Sequence, residues 1–148
     1  MTDAETFVEI RRQLSATPER VFAAFADARL VASWLRPAPE IKLSVLSFDF
    51  REGGAYRFAY DVPDVGCVYI NGVYLTIDRP RRIVFSWLIE PPDPHADIPS
   101  EVTVTLAESG RGTELVIRHA KFGRADAEAR HAEGWKGALE ALAALLQD

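Results

Sequence analysis

The chain has 148 residues, 48% of them hydrophobic and 26% charged, with a net charge of -5. A single domain of that length buries roughly 70% of the surface of its unfolded chain, so it needs no disulfide or metal to hold a core. The acidic balance excludes a general nucleic-acid binder, which displaces counterions with a basic face, and a single cysteine, Cys67, excludes an internal disulfide.

The lone cysteine fits a reducing compartment. The start Met1 to Glu5 is polar and acidic, without a basic stretch leading into an apolar one. No window approaches the ~18 consecutive apolar residues of a membrane span. Together these features predict a cytoplasmic protein without stable membrane insertion. The basic run Arg79, Arg81, Arg82 brackets a proline and reads as a solvated turn.

A first strand is predicted around residues 7–14, with Val8, Ile10 and Leu14 on one face and Arg12 interrupting it. Thr17-Pro18-Glu19 is a helix start: a hydroxyl that can accept from a free N–H, a proline at the first helical position, and a carboxylate at the positive end of the dipole. Val21, Phe22 and Phe25 mark the apolar side of that helix. Asp27 offers a second cap for a shorter helix with Leu30, Val31 and Trp34, which Pro37 and Pro39 end.

From Glu40 the period becomes two. Ile41, Leu43 and Val45 alternate with polar residues; Gly53-Gly54 turns the chain; Tyr56, Phe58, Tyr60 and Val62 alternate in their turn. After Pro63 to Gly66 a long strand runs from Cys67 to Ile77 with Gly72 inside it, the mark of a bulge or bend. Ile83, Phe85, Trp87 and Ile89 form the next strand. The segment Pro91 to Pro99 holds four prolines and reads as the longest loop. Val102, Val104 and Leu106 precede a turn at Ser109 to Gly112, and Leu115, Ile117 and His119 share a face of the last strand.

A final helix, expected to begin near Arg124, carries Trp135, Ala138, Leu139, Leu142, Leu145 and Leu146 as an apolar stripe. Gly134 and Gly137 flank Trp135 at about 1 kcal/mol each in helix propensity, consistent either with close approach of a neighbour or with tolerated defects. The order is strand, two short helices, about six strands, long helix. Short turns make the strands an antiparallel meander, and the last helix is the only element long and apolar enough to cover its apolar face. No linker divides residues 1–148, so one domain is expected.

Several segments resemble a known superfamily. Ala16-Thr17-Pro18-Glu19-Arg20-Val21-Phe22 is similar to the opening of the START-like, or SRPBCC, proteins. Trp34-Leu35-Arg36-Pro37, Phe50-Arg51-Glu52-Gly53-Gly54-Ala55-Tyr56 and Pro80-Arg81-Arg82-Ile83-Val84-Phe85-Ser86-Trp87 resemble the branch named for the activator of the heat-shock-protein-90 ATPase. So does His131-Ala132-Glu133-Gly134-Trp135, leading into a leucine-rich helix. The resemblance spans nearly the whole chain. It implies an α+β helix-grip fold, a curved antiparallel sheet of six to seven strands around the C-terminal helix, with a deep cavity between them; it does not imply an essential metal or a redox cofactor, and none is expected. It leaves function open, because that superfamily holds carriers, polyketide cyclases, resistance proteins and chaperone activators.

Phe58, Tyr60, Tyr74, Phe85, Trp87 and Trp135 are many large aromatics for one small core. With His119 they form the candidate ligand-binding set, a pocket whose rings hold an apolar or aromatic molecule and whose polar tips orient it. Plain core packing is the competing reading, favoured for Phe58 and Phe85. His119 could act as acid–base group or be satisfied by a backbone carbonyl; His131, four residues before Trp135, could meet that ring; His95 reads as solvated. Three histidines and one cysteine show no metal-ligand spacing, and neither a phosphate loop nor a Gly-x-Ser-x-Gly elbow is present. Asp49, Glu52 and Asp61 read as surface carboxylates.

Binding of a small hydrophobic molecule without chemistry is therefore the leading expectation, and an enzyme the lesser one. The alternatives are a cyclase or dehydratase using His119, Tyr60 and Tyr74, and a chaperone partner. The last is weakened because the chaperone activators carry an additional domain that this chain lacks. Pairing into a homodimer through edge strands stays open.

Overall fold

The computed structural model describes residues 7–120 and 125–147, with the side chains of 125–128 left aside. The strand β1 (Phe7–Leu14) leads into helices α1 (Pro18–Ala26) and α2 (Ala28–Trp34). Six further strands follow: β2 (Lys42–Phe48), β3 (Ala55–Val62), β4 (Gly66–Asp78), β5 (Arg82–Ile89), β6 (Ser100–Ser109) and β7 (Gly112–Ala120). Helix α3 spans Ala125–Leu145; Arg124, the expected helix start, lies outside the described residues.

Both short helices begin as the sequence dictates. Thr17 Oγ1 accepts from the Arg20 amide at 3.3 Å, and Pro18 opens α1 without forfeiting a hydrogen bond. Asp27 ends α1 and caps α2, accepting from the amides of Arg29 and Leu30 at 2.8 and 3.3 Å. One residue thus serves two helices, which explains why they meet without a linker.

The seven strands form one antiparallel sheet in the order β1-β7-β6-β5-β4-β3-β2. From β2 to β7 every neighbour in space is a neighbour in sequence, as hairpin turns require. The exception is β1, which α1 and α2 separate from β2, and which closes the far edge against β7 with Val8 opposite His119 and Ile10 opposite Ile117. Bulges at Val45–Ser47 and Tyr74–Thr76 add local twist.

The inner face of the sheet is apolar. Ile83, Val102, Val104, Leu115 and Ile117 have no exposed surface and pack with Trp135, Ala138, Leu139, Leu142 and Leu146 of α3. Leu145 differs from the expectation: it is 38% exposed. At 100° per residue it falls about 80° from the axis of the stripe, which puts it on the flank of the helix rather than on the sheet. Arg12 does not break the core. From the inner face of β1 it reaches Glu140 of α3, tying helix to edge strand. The run of arginines near Pro80 is exposed, and two of the three are paired: Arg79 with Glu19 at 3.2 Å and Arg81 with Asp78 at 3.4 Å.

Gly72 and Gly137 are among the glycines fixed by crowding. Gly72 lies opposite Tyr56 in the β3–β4 register, and a Cβ there would sit 2.0 Å from the Ser86 carbonyl oxygen and 2.6 Å from the Tyr56 ring. Tyr56 lies across the glycine and donates its hydroxyl to that same carbonyl at 2.6 Å. The glycine makes room for a ring, while the bulge falls further along the strand. On α3, a Cβ at Gly137 would meet the Pro37 carbonyl oxygen at 1.9 Å. The helix therefore rests directly on the backbone that follows α2.

A cavity between the C-terminal helix and the sheet

Alternation decides which residues face inward, but not how far along the groove each one lies. At one end the groove is filled. Phe22, Phe48, Phe50 and Tyr74 form a ring cluster, with Phe50 4.8 Å from Tyr74 and 5.8 Å from Phe22 in edge-on contacts. Tyr56, Phe58 and Phe85 continue it toward the middle. At the other end a cavity of about 400 Å³ remains, within the size range of small-molecule sites.

Three walls enclose this cavity. The sheet supplies Tyr60, Val68, Ile70, Trp87 and Ile89 from β3, β4 and β5. Helix α3 supplies Trp135 and Ala138, with Arg130, His131 and Glu133 from its preceding turns. The segment after α2 closes the third side with Leu35, Arg36, Pro37 and Ile41. Of the expected site residues, Tyr60, Trp87 and Trp135 line the cavity. Phe58, Tyr74, Phe85 and His119 are buried but lie outside its lining.

The polar tips of the aromatic residues are mostly spoken for. The Tyr60 hydroxyl donates to the Leu35 carbonyl at 2.8 Å, pinning β3 to the end of α2. Burial pushes the Tyr60 and Tyr74 phenols far above the ordinary tyrosine range, so neither ionises near neutral pH. Trp135 Nε1 donates to His119 Nδ1 at 3.0 Å. That fixes the tautomer: Nδ1 accepts, so Nε2 carries the proton and donates to Ser100 Oγ at 2.8 Å. Ser100 in turn donates to the Trp87 carbonyl at 2.8 Å. A single chain of donors thus runs from α3 through β7 and β6 to β5.

This arrangement holds His119 neutral. The residue is fully buried; desolvation, followed by the neighbouring His131, depresses its pKa well below the usual histidine value. A proton on Nδ1 would also point at the Trp135 N–H. His119 is therefore a connector between helix and sheet, and its ring does not reach the cavity.

His131 is the histidine that does. It is half-buried, lines the cavity, and stands edge-on to His119 with ring centroids 4.7 Å apart. His95, expected to be solvated, is instead half-buried beside the mouth: its Nδ1 lies 2.9 Å from Arg130 Nη1 and its amide donates to Asp93. Arg130 also grips the Asp93 carboxylate with two bonds of 2.6 and 2.8 Å, and that partner holds the Asp93 carboxyl below the usual range. The proline-rich loop is thereby clamped to α3.

Sequence patterning did not single out Arg36, Arg130 or the aliphatic wall of Ile41, Ile70 and Ile89. Only Arg36 left a signal, as a charged residue between the last turn of α2 and Pro37. Two buried side-chain N–H groups lack an acceptor among the described residues, Trp87 Nε1 and Arg36 Nε, and both belong to residues lining this cavity. No group of three or more His, Cys, Asp or Glu residues among those described could hold a metal ion. No described helix is long and apolar enough to cross a membrane.

With this geometry in view, comparison with known proteins places the chain. Protein CV1439 from Chromobacterium violaceum is 31% identical with a TM-score of 0.88, over 97% of this chain and 98% of that one. CalU16 from Micromonospora echinospora is 26% identical with a TM-score of 0.70, over 97% and 77% of the two chains. The AHSA1 protein SPO3351 from Silicibacter pomeroyi shares the fold at 22% identity and a TM-score of 0.83, over 95% and 96%. No curated protein matches the chain significantly. The family model described as Activator of Hsp90 ATPase homolog 1-like protein matches residues 15–147, and the chain belongs to that family.

Proposed function

We propose that the protein binds a small, largely apolar molecule in the cavity between α3 and strands β3–β5, and carries, sequesters or senses it without chemical change. The observation that supports this reading is the void of about 400 Å³, which the chain's many aromatic side chains leave open although they fill the other end of the same groove. Its walls are aliphatic and aromatic, the surface that favours an apolar guest. Turnover draws less support. A proton-moving group must reach its substrate; of the groups the cyclase reading names, His119 is locked behind the wall and the Tyr60 hydroxyl is committed to Leu35, which leaves His131 as the one histidine among the described residues that lines the cavity.

Native mass spectrometry of freshly purified protein, followed by denaturing extraction, tests the proposal, together with titration of neutral naphthalene-based probes. Ala138 lines the cavity and is buried, so Ala138→Phe should fill it and abolish probe binding while the far-ultraviolet circular dichroism is retained. The reading fails if wild-type protein carries no guest and binds no neutral apolar probe. The family's description supports a second role, stimulation of a chaperone ATPase. The chaperone's ATPase rate with and without this protein decides that role independently.

A further inference from the structure

The cavity carries an unbalanced charge. Besides the neutral phenol of Tyr60, four lining residues are ionisable or charged: Arg36, Arg130, His131 and Glu133. Arg130 is neutralised by its two-pronged contact with Asp93, and Glu133 by Lys136 at 3.7 Å. Arg36 has no carboxylate within ion-pair distance among the described residues. Its guanidinium makes one long hydrogen bond, from Nη1 to the Pro39 carbonyl at 3.5 Å, and its Nε is buried without an acceptor. A guanidinium does not shed its proton to escape burial. The Trp87 indole N–H of the same cavity is also without an acceptor. The walls therefore offer one guanidinium without a carboxylate partner and two unmatched donors, and no unmatched acceptor is found among the buried side chains described.

Resting on the reading that the cavity holds a guest, we infer that this guest is an apolar acid: a hydrocarbon or aromatic body bearing a carboxylate or similar acidic oxygen group, which Arg36 receives where α2 gives way to Pro37. The body lies against Ile70, Ile89 and Trp135. A planar anion suits this position because guanidinium and carboxylate pair through parallel N–H···O bonds. A neutral alcohol supplies one acceptor and no countercharge, and an ammonium adds a second cation.

Isothermal titration with matched guests at neutral pH tests the inference on the wild-type protein, without relying on any variant. The set is decanoate, decanol and decylamine, with naphthoate against naphthol as the aromatic pair. Decanoate or naphthoate should bind roughly tenfold or more tighter than its neutral counterpart, the worth of a charge-assisted hydrogen bond. Arg36→Gln should erase that preference by weakening the acid far more than the alcohol, and Arg36→Lys should retain part of it. Equal affinity for acid and alcohol, or a preference for the amine, overturns the inference while leaving the cavity reading intact. If no member of either set binds, both fall.

Discussion

Acidification isolates the buried histidine. In the unfolded chain His119 takes up its proton near a pKa of about 6.5; in the folded protein burial and the indole N–H of Trp135 hold it neutral well below that value. A folded pKa below the unfolded one means that the unfolded state binds more protons as pH falls. The stabilisation is complete above the unfolded pKa and is lost toward the folded one. The slope approaches about 1.4 kcal/mol per pH unit between the two values, so stability should fall as pH is lowered through about 6.5. Replacing His119 by Phe removes the titration and leaves the Trp135 N–H without an acceptor, at about 1–3 kcal/mol. Wild type should therefore exceed His119→Phe in stability at about pH 8, and the gap should narrow as pH falls below about 6.5, by no more than about 1.4 kcal/mol per pH unit. His131 is the titratable neighbour that faces His119 from α3 and adds to the depression of its pKa. Urea unfolding followed by far-ultraviolet circular dichroism at several pH values measures the gap. A gap that stays constant with pH refutes the argument, because it would mean that His119 gains its proton equally in both states.

The two glycines of α3 should respond oppositely to alanine. Gly137→Ala drives a methyl into the Pro37 carbonyl at 1.9 Å, and overpacking of about 1–3 kcal/mol outweighs a propensity gain of about 1; its thermal midpoint should fall. At Gly134 the nearest atom to the new methyl is the Pro37 Cβ at 3.5 Å, an ordinary contact, so Gly134→Ala should raise the midpoint by up to about 1 kcal/mol of stability. Tyr60→Phe leaves the Leu35 carbonyl without its phenolic donor and should cost about 1 kcal/mol in denaturant melts. An unchanged midpoint for any of the three contradicts the contact assigned to it.

Much of the fold was legible because it is local. Thr17, Asp27 and the prolines mark the short helices through groups a few residues away, and alternation in residues 56–62 and 83–89 marks strands and their inner faces. Relations across long stretches of chain were not legible. That His119 meets Trp135, 16 residues on, depends on how α3 seats on the sheet, and so does the rescue of Arg12 by Glu140. The cavity is the clearest case. Tyr74 and Tyr60 both point inward, but Tyr74 falls among Phe48 and Phe50 while Tyr60 falls beside the void. Periodicity carries no coordinate along a strand that could separate them. Arg36 stood inside a recognisable motif, yet its lack of a countercharge emerges only when Arg130 and Glu133 are found to be neutralised by others.

The placement of β1 sets a timetable for making the protein. Its partner is β7, so Phe7 waits for Ala120 and Leu14 for Thr113. During synthesis the hairpins from β2 to β6 can pair as they emerge, each beside the strand just made, while the first strand stays unclaimed until more than two-thirds of the chain has appeared. Contacts of such long sequence separation are slow to form because the loop entropy must be overcome first. Helix α3, which roofs the groove and buries its apolar floor, is made last of all. Until then the inner face of the nascent sheet is open to water and to other chains, the condition that invites aggregation and chaperone capture. The α3 wall of the cavity is made after the other two, so the cavity takes shape only once that helix has formed.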